Sequence, residues 1–268
     1  MTYNLRPEIN PKKYVSWGKG VQSTFLCVLA SEGFLGAVGG IITAETGWEH
    51  PHTYLVEEYY TKYFEKNNIP VYKVSGGNIQ EMVELDIPFR TESGKILRRQ
   101  CTGTYKITPI RRKIRELNGL NPNGYGRSKP NSFHLFLGIS WDESERMAIS
   151  DVNYITNQYP LIDNHITRND CIQGFKDRNL PVPRKSSCVC CPYKGAESWL
   201  MTKTEYPEEW KKVIEFDERF RTPPQAMIDR GHTENLYLYK NIPLKDVNFE
   251  GIIEDKKEDI CDSGYCFI

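Results

Sequence analysis

A chain of 268 residues, 39% hydrophobic and 12% aromatic, is long enough to bury a real core as one large domain or a domain with an appended lobe. Its 35 Lys and Arg balance its 35 Asp and Glu, so bulk charge offers no case for a nucleic-acid partner. No apolar run approaches the length of a membrane helix, and Met1 to Lys13 is polar without a signal-peptide core, so the expectation is a cytoplasmic protein without a membrane partner. Eight cysteines in such a chain point to metal, cluster or redox chemistry more than to disulfides.

Tyr14 and Val15 form an extended apolar approach to Ser16-Trp17-Gly18-Lys19-Gly20. From there Val21, Phe25, Val28 and Leu29 recur at helical spacing. The pattern predicts strand, tight loop, helix, with Gly18 and Gly20 free to take positive φ. A helix start aims unpaired N–H groups and the positive end of its dipole into such a loop. Ser16, Ser23 and Thr24 add hydroxyls and Lys19 adds a charge. The residues alone fit a phosphate cradle and a plain glycine turn equally well. Leu35 to Ala44 reads as a buried strand ending in Glu45-Thr46-Gly47-Trp48-Glu49-His50-Pro51. Pro51 to Asn67 reads as a helix with Leu55, Tyr59 and Tyr63 inside, and Ile69 to Val74 as a third strand. Three strands with two helices between them predict a Rossmann-like parallel sheet.

Arg90 to Arg115 is basic and contains Cys101. Leu120 to Ser132 is a loop rich in Gly, Pro, Asn and Ser. Phe133 to Ile139 is a further strand, and a helix follows Thr167 to Asp170 with Cys171 in its first turn. Ser186 to Gly195 carries Cys188, Cys190 and Cys191. The C-x-x-C spacing of Cys188 and Cys191 lets two thiolates reach one metal centre, and Pro192 follows as in iron–sulfur loops. Cys101 and Cys171 are the distant partners and Cys190 the reserve ligand. Four such thiolates suit a 4Fe–4S cluster or a tetrahedral zinc, and spacing does not choose between them. Helical segments at Trp199-Leu200 and Trp210 to Phe220 precede an acidic tail with Cys261 and Cys266. The domain expectation is residues 1–150 as an α/β domain carrying the glycine loop and 151–268 as a cysteine-rich helical lobe and tail.

The loop is not a Walker A sequence. It resembles the PP-loop of the adenine nucleotide α-hydrolase-like superfamily, in the PAPS reductase/DndC-like branch, whose loop runs S-x-G-x-G-x-Q-S: Ser16, Gly18, Gly20, Gln22 and Ser23 match. Four further stretches resemble the same family in the same order. Glu45-Thr46-Gly47 stands where the family carries an acidic-Thr-Gly segment, usually with Asp first. Cys101 with Tyr105-Lys106-Ile107-Thr108-Pro109 resembles C-x-x-x-[LY]-K-[IV]-x-P, with Gln100 in place of the first cysteine of a pair. Gly138, Ile139, Glu143 and Arg146 match a Gly-hydrophobic, acidic, Arg segment, and Pro160-Leu161-Ile162-Asp163 a P-L-x-D segment.

The resemblance implies a HUP-type fold that binds ATP, or PAPS or APS as substrate, through Ser16, Trp17, Gly18, Lys19, Gly20, Gln22, Ser23, Thr24, Glu45, Thr46, Gly47 and Gly138. It implies cleavage between the α and β phosphates with Lys19, Ser23, Glu45 and Arg146 in catalysis and Mg²⁺ near Glu45, followed by sulfur transfer to a nucleic-acid or small-molecule acceptor. One alternative is a PAPS or APS reductase with Cys266 as nucleophile; another is a non-catalytic nucleotide-binding accessory protein. A sulfur donor or a thioredoxin-like reductant is the implied partner, and a homo-oligomer fits as well as a monomer.

Overall fold

A computed structural model of the chain describes residues 12–81, 86–124 and 129–254. In chain order its elements are β1 (Lys12–Ser16), α1 (Val21–Ser31), β2 (Ile41–Glu45), α2 (Pro51–Lys66), β3 (Val71–Ser75), β4 (Arg90–Thr91) and α3 (Thr108–Leu117). There follow β5 (Phe133–Leu137), β6 (Ile155–Gln158), α4 (Pro160–Asp163), α5 (Arg168–Asp177), α6 (Ala196–Glu205), α7 (Pro207–Arg219), α8 (Gln225–Ile228), β7 (Leu236–Tyr237) and α9 (Phe249–Glu254). Among the described residues no helix is long and apolar enough to cross a membrane.

These residues form two compact units that interleave along the sequence. The first takes the described residues up to Thr43, Val56–Val74 and Ile110–Lys185; the second takes Ala44–Leu55, Ser75–Pro109 and the described residues from Ser186. A boundary near residue 150 is therefore corrected. Residues beyond 150 complete the sheet of the first unit, because β6 pairs in parallel with β5 from Phe133↔Ile155 to Phe136↔Gln158.

The first unit is an α/β Rossmann-like fold on a five-stranded sheet of order β3-β2-β1-β5-β6. β1 lies at its centre, parallel to both β2 and β5, and Tyr14 and Val15 are buried on its opposite faces, as a strand covered on both sides requires. The chain leaves β1 for β2 on one side and reaches β5 on the other. The carboxyl end of β1 is thus the switch point at which open α/β sheets place ligands. The helices cover the sheet through aromatic contacts: Phe25 of α1 meets Phe175 of α5 at 5.3 Å between centroids. Gly174 makes that approach possible, since a Cβ there would stand 2.3 Å from the Phe25 ring.

Two local expectations change. β2 begins at Ile41 rather than Leu35, because Gly36 (φ 66°) and Gly40 (φ 147°) bend the chain into the strand instead of belonging to it. On α2 the buried face is Tyr60 and Phe64, while Leu55 is 68% exposed. The helix was placed correctly and its inner face was not.

The second unit has an aromatic core of Trp48, Phe89, Trp199, Phe216, Phe220 and Phe249. β4 and β7 close it as a short antiparallel pair. α6 and α7 start after Gly195 and Tyr206; α7 is amphipathic and has Pro207 at its first position, where a missing N–H is harmless.

Candidate functional site

In the first unit the loop between β1 and α1 has the expected strand-loop-helix form. Gly20 is the N-cap of α1 (φ −89°), and Lys19, not a glycine, takes the left-handed backbone at φ 64°. No side chain caps the helix start and no acidic residue occupies its first turn, so its amide donors and dipole serve the loop itself.

The side chains of that loop behave differently from the expectation. Trp17 Nε1 donates to Thr24 Oγ1 at 2.9 Å, and the indole packs edge-on against Phe64. Both residues frame the loop from within the core. Lys19 Nζ is 1% exposed and lies 3.1 Å from Glu57, whose other oxygen holds Lys73 at 2.6 Å. The pairing fits the burial of both groups, since a buried ion needs a paired partner. Gln22 Nε2 donates to Ser140 Oγ at 3.4 Å, and its Oε1 accepts from Arg168 at 3.3 Å. Ser23 Oγ donates to the Gly20 carbonyl at 3.3 Å.

Gly138, just past β5, lies directly on the first turn of α1: a Cβ there would stand 2.5 Å from Ser23 Cα and 2.7 Å from its nitrogen. Gly138 therefore sets the height of the loop. Arg146 is buried and paired with Glu143. Arg168, which the sequence did not single out, reaches the loop through Gln22. The Thr167–Asp170 capping box marked its helix start but not its side chain.

In the second unit Cys101, Cys188, Cys190 and Cys191 all line one cavity, together with Thr46, Arg99, Lys106 and Tyr193. Two devices bring them there. Cys101 enters a π-helical stretch, Gly103–Ile107, of the kind that recurs at functional sites, and its N–H is tied to Asp86 O at 2.8 Å. The cysteine loop is clamped to the segment after β2. Glu49 bridges Cys188 in antiparallel fashion, Val189 N–H donates to Trp48 O at 3.0 Å, and His50 N–H donates to Ser187 O at 3.4 Å. Thr46 Oγ1 lies 3.2 Å from Cys188 Sγ. The two motifs that the sequence treats as separate are one short ladder.

Behind that ladder Lys194 is buried. Its ammonium donates to Val189 O (2.9 Å), Thr202 Oγ1 (2.8 Å) and His50 Nε2 (3.2 Å), and it lies 3.7 Å from the centre of the Trp199 ring. Burial first, then Lys194 and the neighbouring His52, push the His50 pKa down to about 2, so its ring is the neutral acceptor this lysine needs. Around the cavity Arg99 lies 5.5 Å from the Tyr193 ring and Lys106 Nζ 3.9 Å from Glu49. Burial raises the Cys190 thiol well above its ordinary value, with Cys188 and Cys101 adding to the rise.

Cys171 is not among the residues lining this cavity. It lies in the hydrophobic core of the first unit with Phe25, Leu161 and Phe175, where burial lifts its thiol to about 12. Its helical spacing to Phe175, one turn on, is the pattern that marks it as a core residue. Glu45, at the end of β2, accepts the Tyr54 hydroxyl, and burial first of all raises that phenol to about 12. Gly47 (φ 78°) is crowded by Asn78, 2.8 Å from where a Cβ would stand. Cys261 and Cys266 lie outside the described residues. Among the described residues no three His, Cys, Asp or Glu side chains are grouped to grip a single metal ion.

No known protein-family model matches the chain, and no curated protein matches it. Solved structures similar to it include a phosphoadenylyl-sulfate (PAPS) reductase from Candida auris in a phosphate complex, at 15% identity and a TM-score of 0.44, over 65% of this chain and 75% of that one. Another is the U34-tRNA thiolase NcsA from Methanococcus maripaludis with its 4Fe–4S cluster, at 13% identity and a TM-score of 0.42, over 80% of this chain and 74% of that one.

Proposed function

We propose that the chain is a PP-loop enzyme of the PAPS reductase/DndC-like kind. It binds an adenine nucleotide at the loop between β1 and α1, and it uses the cysteine cavity in sulfur transfer. The observation that carries this reading is the gathering of Cys101, Cys188, Cys190 and Cys191, from two distant stretches, around one cavity with Arg99 and Lys106. Buried structural thiols have no need of such company.

The donor set favours an iron–sulfur cluster over zinc. A cluster takes one thiolate per iron and so suits cysteines spread around a cavity wall. Cys101, Cys188 and Cys191 are the proposed ligands, with Cys190 replacing Cys171 as the fourth thiol of the set. When bound, the cluster supplies thiophilic iron able to hold a sulfur atom.

At the loop, the uncapped first turn of α1 offers backbone N–H groups to the phosphates, and Ser16, Gly18 and Ser23 line the approach. These donors offset charge as pyrophosphate departs from the α-phosphate, the kind of fixed electrostatics that dominates such reactions. The acceptor oxygen displaces pyrophosphate and becomes adenylylated; a sulfur nucleophile then displaces AMP. Mg²⁺ with the triphosphate completes the charge balance.

The test is anaerobic purification, iron and sulfide analysis, and incubation with α-labelled ATP. The expected result is a brown protein with about four irons that releases AMP and pyrophosphate. Ser23→Ala with Gly20→Val is expected to remove ATP binding in calorimetry while the fold survives. A colourless protein with one zinc, or a double variant of unchanged affinity, defeats the respective half of the reading.

A further inference from the structure

We propose that Thr46 is a positioning residue for the cysteine centre: its hydroxyl hydrogen-bonds the Cys188 sulfur and sets the reduction potential of whatever cluster that sulfur holds. This rests on the reading of the cavity as a cluster site. Thr46 belongs to a segment whose resemblance assigns it to nucleotide binding, and its placement is different.

Thr46 Oγ1 is 3.2 Å from Cys188 Sγ, and the residue is 1% exposed. Both lie in the second unit. A free thiol and a hydroxyl can each donate. A ligating cysteine is a thiolate with no proton to give, so in the loaded protein Thr46 is the donor.

Three contacts hold the hydroxyl in place. The Thr46 carbonyl accepts the Ile79 N–H at 2.8 Å. Gly47 turns the chain at φ 78° where only a glycine escapes Asn78. Trp48 and Glu49 then run alongside Cys188 and Val189 in the ladder already described. The donor is fixed by backbone on one side and the acceptor by backbone on the other, so the contact is built into the fold rather than made by a mobile side chain. Hydrogen bonds to the sulfurs are one of the recognised controls on cluster potential. The electron added on reduction places more negative charge on sulfur, and a donor stabilises that state more than the oxidised one. Thr46 therefore raises the potential.

The test compares wild type, Thr46→Val and Thr46→Ser after anaerobic cluster reconstitution, by redox titration followed in the visible spectrum. Valine keeps the shape and removes the hydroxyl; serine restores it. The expected result is a fall in potential for Thr46→Val, about tenfold in the reduced-to-oxidised ratio at a fixed poise, or ~59 mV for a one-electron couple. Thr46→Ser is expected to return to the wild-type value. Equal potentials in wild type and Thr46→Val overturn the role of Thr46 and leave the cavity reading standing. A wild type that takes up no cluster overturns the cavity reading and this inference with it. If Thr46→Val fails to load, the wild type alone decides through resonance Raman spectra in light and heavy water. An isotope shift in the iron–sulfur stretches supports the donor, and identical spectra overturn it.

Discussion

The glycine loop of the first unit and the cysteine loop of the second follow opposite strategies. In the glycine loop the side chains are turned inward. Trp17 bonds Thr24, Lys19 holds Glu57 and Gln22 ties Ser140 to Arg168, and the first turn of α1 carries no side-chain cap. In the cysteine loop the backbone is committed, to Trp48, His50 and the Lys194 clamp, and the side chains are what face the cavity. A site for a polyanion can be built from main chain, which presents N–H groups at fixed spacing. A site for the proposed iron–sulfur cluster needs thiolates, and main chain can only aim them.

That contrast predicts where each loop breaks. The largest effect is expected from Cys188→Ser with Cys191→Ser, which should abolish brown colour and iron content altogether while ATP affinity measured by calorimetry is retained. A parallel loss of both would show that the two loops do not act separately. Next comes Lys19→Met, which removes one of the two lysines paired with the buried Glu57. The expected cost is ~3 kcal/mol in urea denaturation, the lower end for breaking a buried ion pair. Lys19→Met is also expected to change nucleotide affinity less than Gly20→Val does; the reverse order would return Lys19 to the ligand. Gly138→Ala pushes a methyl into Ser23 backbone, and about 1–3 kcal/mol of overpacking is expected, with weakened ATP binding as the loop is lifted.

The smallest effect is a pH dependence. Burial, with the Lys194 and His52 charges facing it, keeps His50 neutral down to about 2, whereas in the unfolded chain it protonates near its ordinary ~6.5. Between those values the unfolded state binds more protons, so stability falls as pH is lowered, by about 1.4 kcal/mol per unit below ~6.5. Between pH 7 and pH 5.5 the wild type should lose about 1 kcal/mol more than His50→Gln, measured by urea midpoints. Parallel curves would mean that His50 is charged in the folded protein.

Short-range features were legible in the sequence: β1, the glycine loop and α1, the bounds of α2, the helix after Thr167. Each is encoded within about a dozen residues by spacing, caps or glycines. What the sequence did not show depends on contacts between distant stretches. β6 reads as Ile-Thr-Asn-Gln, with only Ile155 fully buried, and lacks the apolar run of a central strand. Cys190 lines the cavity and Cys171 lies in the core of the first unit, because C-x-x-C spacing says nothing about which other cysteine shares the cavity. The segment from Glu45 to His50 was recognised as a motif, but its partner at Ser187 to Val189 could not be read from either end. Lys194 and His50 were missed for the same reason: a buried lysine is recognisable only with its acceptors in view.

The ladder between Thr46–His50 and Ser187–Val189 also fixes when the cavity can exist. Its two sides are 142 residues apart at Thr46 and Cys188, so at about 5–20 residues per second the first waits on the ribosome for on the order of ten seconds before the second is made. Closing a loop of that length is slow as well as late, since non-local pairing must follow the loss of chain entropy. A nascent chain that ends before Lys194 has Cys101 but no wall for it to face. Delivery of the proposed cluster therefore has to follow the synthesis of Lys194, and an assembly factor that captured cysteines in order of synthesis would find Cys101 long before it found a site.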